Sequence, residues 1–371
     1  MQRRWFLKNA GAGLAAGSLA APAIVQAQSL DGRLPEIKWR LASSFPKSLD
    51  TIFIAAETMA QRVAAASGNR FQIRVFPAGE IVPGPQVLDA VKDGTVEMGH
   101  SASYYFVGKD PTFAFDCAIP FGLNSRQQSA WIFNGGGLEL MRELFRAYNI
   151  YNIPLGNTGV QMGGWYRKEI NSIDDLKGLK MRIGGFAGQV IARLGAVPQQ
   201  IPGGDIYPAL EKGTIDAAEW VGPYDDLKLG FNKVAKYYYY PGWWEGGPQL
   251  TAYVNIRQWN GLPKEYQAIL EDACMVGHID MQTRYDAKNP GALKELIGGG
   301  TVLKPFPAEV MAACYKAALE LYDETAAKNP RFRKVYEAWR RFRDEQLQWF
   351  AVAENRYDNF MQATRVVGRK N

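Results

Sequence analysis

Leu88-Asp89-Ala90-Val91-Lys92-Asp93-Gly94-Thr95-Val96-Glu97 recurs as Pro208-Ala209-Leu210-Glu211-Lys212-Gly213-Thr214-Ile215-Asp216. Each copy reads as a helix end, a glycine stop and a short apolar strand. Glycine adopts the left-handed conformation after a last helical turn at no steric cost, and Val96 or Ile215 then opens a buried run. A unit written twice predicts two similar α/β lobes. The first copy leads into His100-Ser101-Ala102-Ser103-Tyr104-Tyr105 and the second into Glu219-Trp220-Val221-Gly222-Pro223. Ligands of open α/β sheets sit beyond the carboxyl ends of strands, so these residues are expected to meet across a cleft that closes on something small.

Outward from the repeat, residues 37–43 alternate as a strand, 49–66 have helical periodicity and 71–76 form the next strand. A helix to Asp93 and a strand from Thr95 complete a βαβαβ unit with right-handed crossovers. The second lobe is expected to open near Tyr151, with β-like segments through 165–167, a short helix at 173–177, a strand at 180–183 and a helix at 186–194. Residues 249–256 alternate again and return to the first lobe's sheet, which makes the lobes discontinuous. Beyond Pro263 the pattern is helical. The expected fold is thus two similar α/β lobes around a ligand cleft. The lobes are 33–152 with a returning segment at about 249–285, and 153–248 with a helical segment at about 286–330.

A chain of 371 residues exceeds what one hydrophobic core usually supports, and 47% hydrophobic with 22% charged residues suits a globular protein. Residues 1–27 carry Arg3-Arg4-Trp5-Phe6-Leu7-Lys8 before an uncharged run rich in Gly and Ala, ending at Val25-Gln26-Ala27. That pattern is a twin-arginine export signal, too short and too weakly apolar for a lasting span. Its removal takes Arg3, Arg4 and Lys8 and no acid, so 43 basic residues become 40 against 37 acidic ones, a net of +3. So small a surplus argues against a nucleic-acid partner. Arg340-Arg341-Phe342-Arg343 is followed by Asp344 and Glu345 and reads as a solvated helix face.

Cys117, Cys274 and Cys314 are odd in number and far apart, so neither a CxxC pair nor a four-cysteine metal site can be built, and burial as free thiols is expected. The histidines, His100 and His278, stand in no metal-binding spacing, and His278 reads as a packed helix residue. No nucleophile elbow is present.

Chemistry concentrates in the second lobe, at Asn157, Gln161, Arg182 in Met181-Arg182-Ile183-Gly184-Gly185, Glu219-Trp220 and Trp243-Trp244-Glu245-Gly246. An arginine at a strand end suits two-oxygen capture of a carboxylate, and the adjacent glycines leave room. Glutamates and a glutamine are donors that hard cations prefer. Each has a plainer reading, Arg182 as an ordinary strand-end arginine and Glu219 and Glu245 as surface acids. Paired carboxylates also raise acid/base catalysis, but nothing nucleophilic accompanies them.

Phe76-Pro77-Ala78-Gly79-Glu80, the doubled helix-Gly-Thr-strand element, Leu176-Lys177-Gly178-Leu179-Lys180-Met181-Arg182 and Asp216-Ala217-Ala218-Glu219-Trp220 together resemble the solute-binding subunits of tripartite ATP-independent periplasmic (TRAP) transporters. The resemblance spans the mature chain. It implies a receptor rather than an enzyme, located in the periplasm and delivering its ligand to membrane subunits. Glu219-Trp220-Val221-Gly222-Pro223 with Trp243-Trp244-Glu245 looks like the subgroup that binds 2-oxo and 2-hydroxy monocarboxylates such as pyruvate and lactate through a metal ion. By that resemblance Gln161, Glu219, Glu245 and the Trp220 carbonyl hold one cation, sodium or calcium. Gln161 and Arg182 meet the substrate, with Tyr104, Asn157 and Trp220 as further contacts. Two glutamates and a substrate carboxylate give −3 against Arg182 at +1, so calcium brings the site to 0 and sodium leaves −1. Trp220, Trp243, Trp244 and Phe186 are candidates for an apolar wall, or for plain core packing. A ligand-dependent sensor partner would use the same cleft, and an exported enzyme is the remaining class.

From Val335 to Val367 there is no glycine or proline, and Val335, Trp339, Phe342, Phe350, Ala353, Tyr357 and Phe360 recur at three-to-four-residue steps, interrupted at Gln346. One long amphipathic C-terminal helix is expected. Its stripe is too long for one lobe to cover, which predicts a homodimer in which the helix packs on, or swaps into, the partner; the plainer reading is a helix wrapped across both lobes of one monomer.

Overall fold

The computed structural model describes residues 34–367, and the export signal expected at 1–27 lies outside them. Both copies of the repeated unit fold alike. Gly94 and Gly213 take φ of +78° and +70°. Thr95 N donates to Ala90 O at 2.8 Å, and Thr214 N to Ala209 O at 3.0 Å. The strands that follow, Met98–Ser101 and Ala217–Ala218, enter two different sheets.

The first sheet runs Phe71–Phe76, Ile37–Ser43, Met98–Ser101, Gln249–Asn255, Ile150–Asn157 in spatial order. Its first three strands are parallel, Leu41 facing Met98 and Ile37 facing Phe71. Gln249–Asn255 returns antiparallel between Met98–Ser101 and Ile150–Asn157. The second sheet runs Val302–Pro305, Tyr237–Tyr240, Trp165–Tyr166, Ala217–Ala218, Lys180–Arg182, Val197–Gln199.

One boundary moves. Ile150–Asn157, read as opening the second lobe near Tyr151, lies wholly in the first sheet with Ala252 facing Ile153. Its buried pattern shows that it is a strand, but pairing depends on a partner about a hundred residues away. The second sheet begins only at Trp165–Tyr166.

Helix Lys264–Gly298 joins the two halves. Near its middle His278 Nδ1 accepts from Gly156 N at 3.2 Å, and seven residues on Tyr285 bonds Asp225 at 2.6 Å. His278 is the packed helix residue expected, its pKa pushed down to about 4 by burial. Cys117, Cys274 and Cys314 are buried free thiols. No described helix is long and apolar enough to cross a membrane.

The C-terminal helix starts earlier than its aromatic stripe. Asn329 caps it through Phe332 N at 3.0 Å and Pro330 occupies the first turn, a favourable pairing at a helix start. It runs Pro330–Val352, bends where Ala353 leaves helical geometry (φ −91°, ψ −87°) and resumes as Glu354–Val367. Phe332, Val335, Tyr336 and Trp339 are buried, whereas Trp349, Val352, Tyr357 and Phe360 are exposed, Val352 by 73%.

Candidate ligand and cation site

The carboxyl end of Lys180–Arg182 delivers Arg182, and its neighbour Ala217–Ala218 delivers Glu219 and Trp220 beside it. Glu219 N donates to Arg182 O at 3.2 Å, so the two strand ends run side by side into the site. Gln161 reaches it from the crossing between the sheets. Its backbone N donates to Glu245 O at 3.0 Å, and Gly242 N donates back to Gln161 O at 2.9 Å. These are backbone contacts, so Gln161 and Glu245 share one rigid turn pair.

Tyr104, Gln161, Arg182, Trp220 and Glu245 line one small cavity, with about 20 Å³ of free space, together with Tyr105 and Thr158. Its apolar side is Phe45, Ile52, Ala102, Val221 and Leu250. Arg182 donates through Nε to Ile201 O at 3.2 Å and through Nη1 to Glu219 O at 3.0 Å, and it pairs with the Glu219 carboxylate. Its guanidinium lies 5.1 Å from the centre of the Trp220 ring. The room left by Gly184 and Gly185 is taken by a side chain: a Cβ on Gly185 would stand 3.1 Å from the Tyr104 ring. Gly203 serves Trp220 similarly, since a Cβ there would fall 2.4 Å from the indole.

Three buried oxygens in this group, Gln161 Oε1, Glu219 Oε2 and Glu245 Oε2, accept no hydrogen bond. Leaving such atoms unpaired is costly. Burial pushes both glutamates above the ordinary carboxylate range; Arg182 pulls Glu219 part of the way back, while the Glu219 charge pushes Glu245 further up. Burial works against the Arg182 charge too, but Glu219 and the two tyrosines outweigh it and hold the guanidinium above its usual value. Unpaired carboxylate and amide oxygens, with no competing lysine lining the cavity, fit a hard cation. Among the described residues no cluster of three or more His, Cys, Asp or Glu is placed to hold a metal ion.

Asn157 does not line the cavity. Its Nδ2 donates to Gly247 O at 3.0 Å and its Oδ1 accepts from Gly159 N at 2.9 Å, which ties the Gln161 turn to the Glu245 turn. Phe186 packs on Tyr322 and Phe332 at 5.6 and 5.5 Å, away from the cavity. Trp243 stacks on Phe121 at 5.1 Å and Trp244 packs against Phe306, so both take the core-packing reading. Tyr105, Thr158 and the walls Phe45, Ile52, Ala102, Val221 and Leu250 went unassigned from sequence. Tyr105, Ala102 and Val221 stand in the stretches that follow the two repeats, whereas Phe45, Ile52, Thr158 and Leu250 carry no local signal of a place in the cavity.

Two α/β sheets joined by crossing segments, with a buried charged cavity fed by both, define a two-lobed α/β binding protein. Residues 42–329 match the family described as DctP, bacterial extracellular solute-binding protein, family 7, and the chain belongs to that family. It is 50% identical over 365 residues, 98% of this chain and all of the relative, to a monocarboxylate 2-oxoacid-binding periplasmic protein of Nostoc sp.. A TRAP transporter solute-binding protein of Bordetella bronchiseptica shares 54% identity at a TM-score of 0.89, covering 91% of this chain and 100% of that one. It is described as a mixed-occupancy dimer with copurified calcium and picolinate in one site and the other apo. A third protein, from Pseudoalteromonas atlantica, holds sodium and pyruvate; it is 42% identical with a TM-score of 0.85, covering 87% of this chain and 99% of that one.

Proposed function

We propose that this chain is the extracytoplasmic receptor of a TRAP transporter and binds a small 2-oxo or 2-hydroxy monocarboxylate, of the pyruvate or lactate kind, through one cation and Arg182. The observation that carries this reading is the set of unpaired buried oxygens on Gln161, Glu219 and Glu245 beside a buried arginine. Those three side chains and the Trp220 carbonyl would hold the cation, calcium or sodium, which supplies positive charge and a chelating centre for a carboxylate with its adjacent carbonyl or hydroxyl. Arg182 takes a carboxylate oxygen, since its planar fork matches that group. Gln161 meets the ligand from the crossing turn, and Tyr104 and Trp220 close over it. Asn157 serves at one remove by holding the two turns together. The apolar wall takes the short alkyl tail, and a second carboxylate would meet Phe45 and Ile52 with no cation to pair it.

The two lobes correspond to the two sheets, with crossings at 158–164 and 241–248 and helix Lys264–Gly298 as the third connection. The receptor works in the periplasm, exported by the twin-arginine signal at 1–27, and hands its ligand to TRAP membrane subunits. A second copy of the chain covers the exposed stripe of Trp349, Val352, Tyr357 and Phe360, as the dimeric Bordetella relative supports. Native mass spectrometry of the purified protein tests the reading: a retained small monocarboxylate and one cation per chain support it, and a bound dicarboxylate or a ligand without metal would overturn it.

A further inference from the structure

We infer that the turn at residues 48–53 is a clasp between the two walls of the cavity, and that Thr51 and Asp225 are positioning residues for the ligand. This rests on the receptor reading above. The turn follows the first sheet's strand Ile37–Ser43 and carries Ile52 into the cavity. The opposite wall includes Val221, which follows the second sheet's strand Ala217–Ala218 and leads through Gly222 into helix Pro223–Leu229. Asp225 on that helix joins the walls. Its Oδ1 accepts from the Thr51 hydroxyl next to Ile52, and its Oδ2 accepts from the Tyr285 hydroxyl at 2.6 Å. Tyr285 belongs to Lys264–Gly298, the helix that spans both halves.

All three side chains are fully buried, so the carboxylate is held without competition from water. Around it lies a partly exposed ring that aligns the same elements. Asp50 pairs with Lys228 and with Lys288 at 3.1 Å and accepts from the Tyr224 hydroxyl at 3.1 Å, while Asn289 Oδ1 accepts from Tyr224 N at 3.1 Å. The ring's ion pairs are exposed enough to contribute little, which leaves the buried Thr51–Asp225–Tyr285 chain as the connection that matters. A ligand touching both Ile52 and Val221 is enclosed only while these walls are held together. Loss of the clasp therefore lets bound ligand escape.

Stopped-flow measurement of pyruvate binding to the calcium-loaded full chain tests this. Thr51→Val keeps the shape of the residue and removes the donor. Dissociation is expected to quicken about tenfold, the change that loss of one hydrogen bond to a charged group brings, with association little altered. Thr51→Ser restores the donor and is expected to restore the rate. Tyr285→Phe, which frees the other carboxylate oxygen, is expected to quicken dissociation as well. Dissociation unchanged in both Thr51→Val and Tyr285→Phe, whatever their melting temperatures, would reduce the cluster to structural packing and overturn the clasp. Failure of the unmodified chain to bind pyruvate with either calcium or sodium would overturn the receptor reading itself, and the clasp with it.

Discussion

Glu245 lining the cavity and Glu219 paired with Arg182 beside it, and Asp116, Asp225 and Asp226 elsewhere, are all buried carboxylates, yet the chain treats the two groups differently. Asp116 accepts from Ser103 at 2.5 Å and Thr251 at 2.7 Å, and Asp226 accepts from Tyr238 at 2.6 Å and Trp165 at 3.0 Å. Asp225 is satisfied by Thr51 and Tyr285. Glu219 and Glu245 each keep one oxygen with no partner, as does Gln161 between them. Asp226 stands only seven residues beyond Glu219, so the contrast is local. Carboxylates that stabilise architecture have both oxygens satisfied within the fold, whereas Glu219, although paired with Arg182, and Glu245 each leave one oxygen open for the cation proposed above.

The comparison breaks most visibly at Arg182. Removing it leaves a ligand carboxylate desolvated without its partner, so Arg182→Ala is expected to weaken pyruvate binding by about 2–5 kcal/mol in calorimetry. Arg182→Lys should bind nearly as poorly, because an ammonium lacks the planar fork. Near-normal affinity in either variant would remove the arginine from the site.

On the architectural side, Asp226→Ala strands the Tyr238 hydroxyl and the Trp165 indole N–H in the interior. About 1–3 kcal/mol of folding stability should be lost for each group left unpaired, read by denaturant unfolding. Pyruvate affinity of the remaining folded protein should hold. A variant that loses affinity and keeps its stability would reverse the two roles.

A smaller effect sharpens the same distinction by titration. Burial pushes Asp226 up to about 7, its hydrogen bonds from Tyr238 and Trp165 opposing the shift. An unfolded aspartate titrates near 4, so the folded form binds a proton the unfolded form lacks between pH 4 and 7. The cost of ionising it in place grows across that window and is complete above about 7. Asp226→Asn, which keeps an acceptor for both donors, is therefore expected to gain stability relative to the unmodified chain as pH rises from 5 to 8. A pH-independent difference would mean that Asp226 stays ionised throughout.

The least change in affinity is expected at the C-terminal end. Ending the chain after Val352 removes Tyr357 and Phe360, exposed by 65% each. Sedimentation should shift from dimer to monomer while ligand binding persists. A dimer that survives the truncation would place its interface elsewhere.

Much of this was legible in the residues. The glycine stops at Gly94 and Gly213 marked both lobes because few other residues tolerate a left-handed φ. Strands 37–43 and 71–76 and the returning 249–255 followed from alternation, and Gln161, Arg182, Trp220, Tyr104 and Glu245 do surround one cavity. What escaped depends on distant contacts. Nothing local tells Ile150–Asn157 which sheet to join. Asn157 is a ligand contact by the family resemblance, and its bonds to Gly247 and Gly159 exist only once two turns meet. Phe45, Ile52 and Leu250 read as core residues anywhere, and the Thr51–Asp225 bond spans 174 positions. The glycines beside Arg182 were read as space for a ligand, and the fold gives that space to Tyr104.

Isothermal titration of pyruvate into chelator-stripped, sodium-free protein, repeated after adding back calcium and then sodium, tests the central claim most directly. Cation-completed oxygens on Gln161, Glu219 and Glu245 predict no measurable heat from the stripped protein and one site per chain once the right ion is restored. Full-strength pyruvate binding with no metal present would contradict the account.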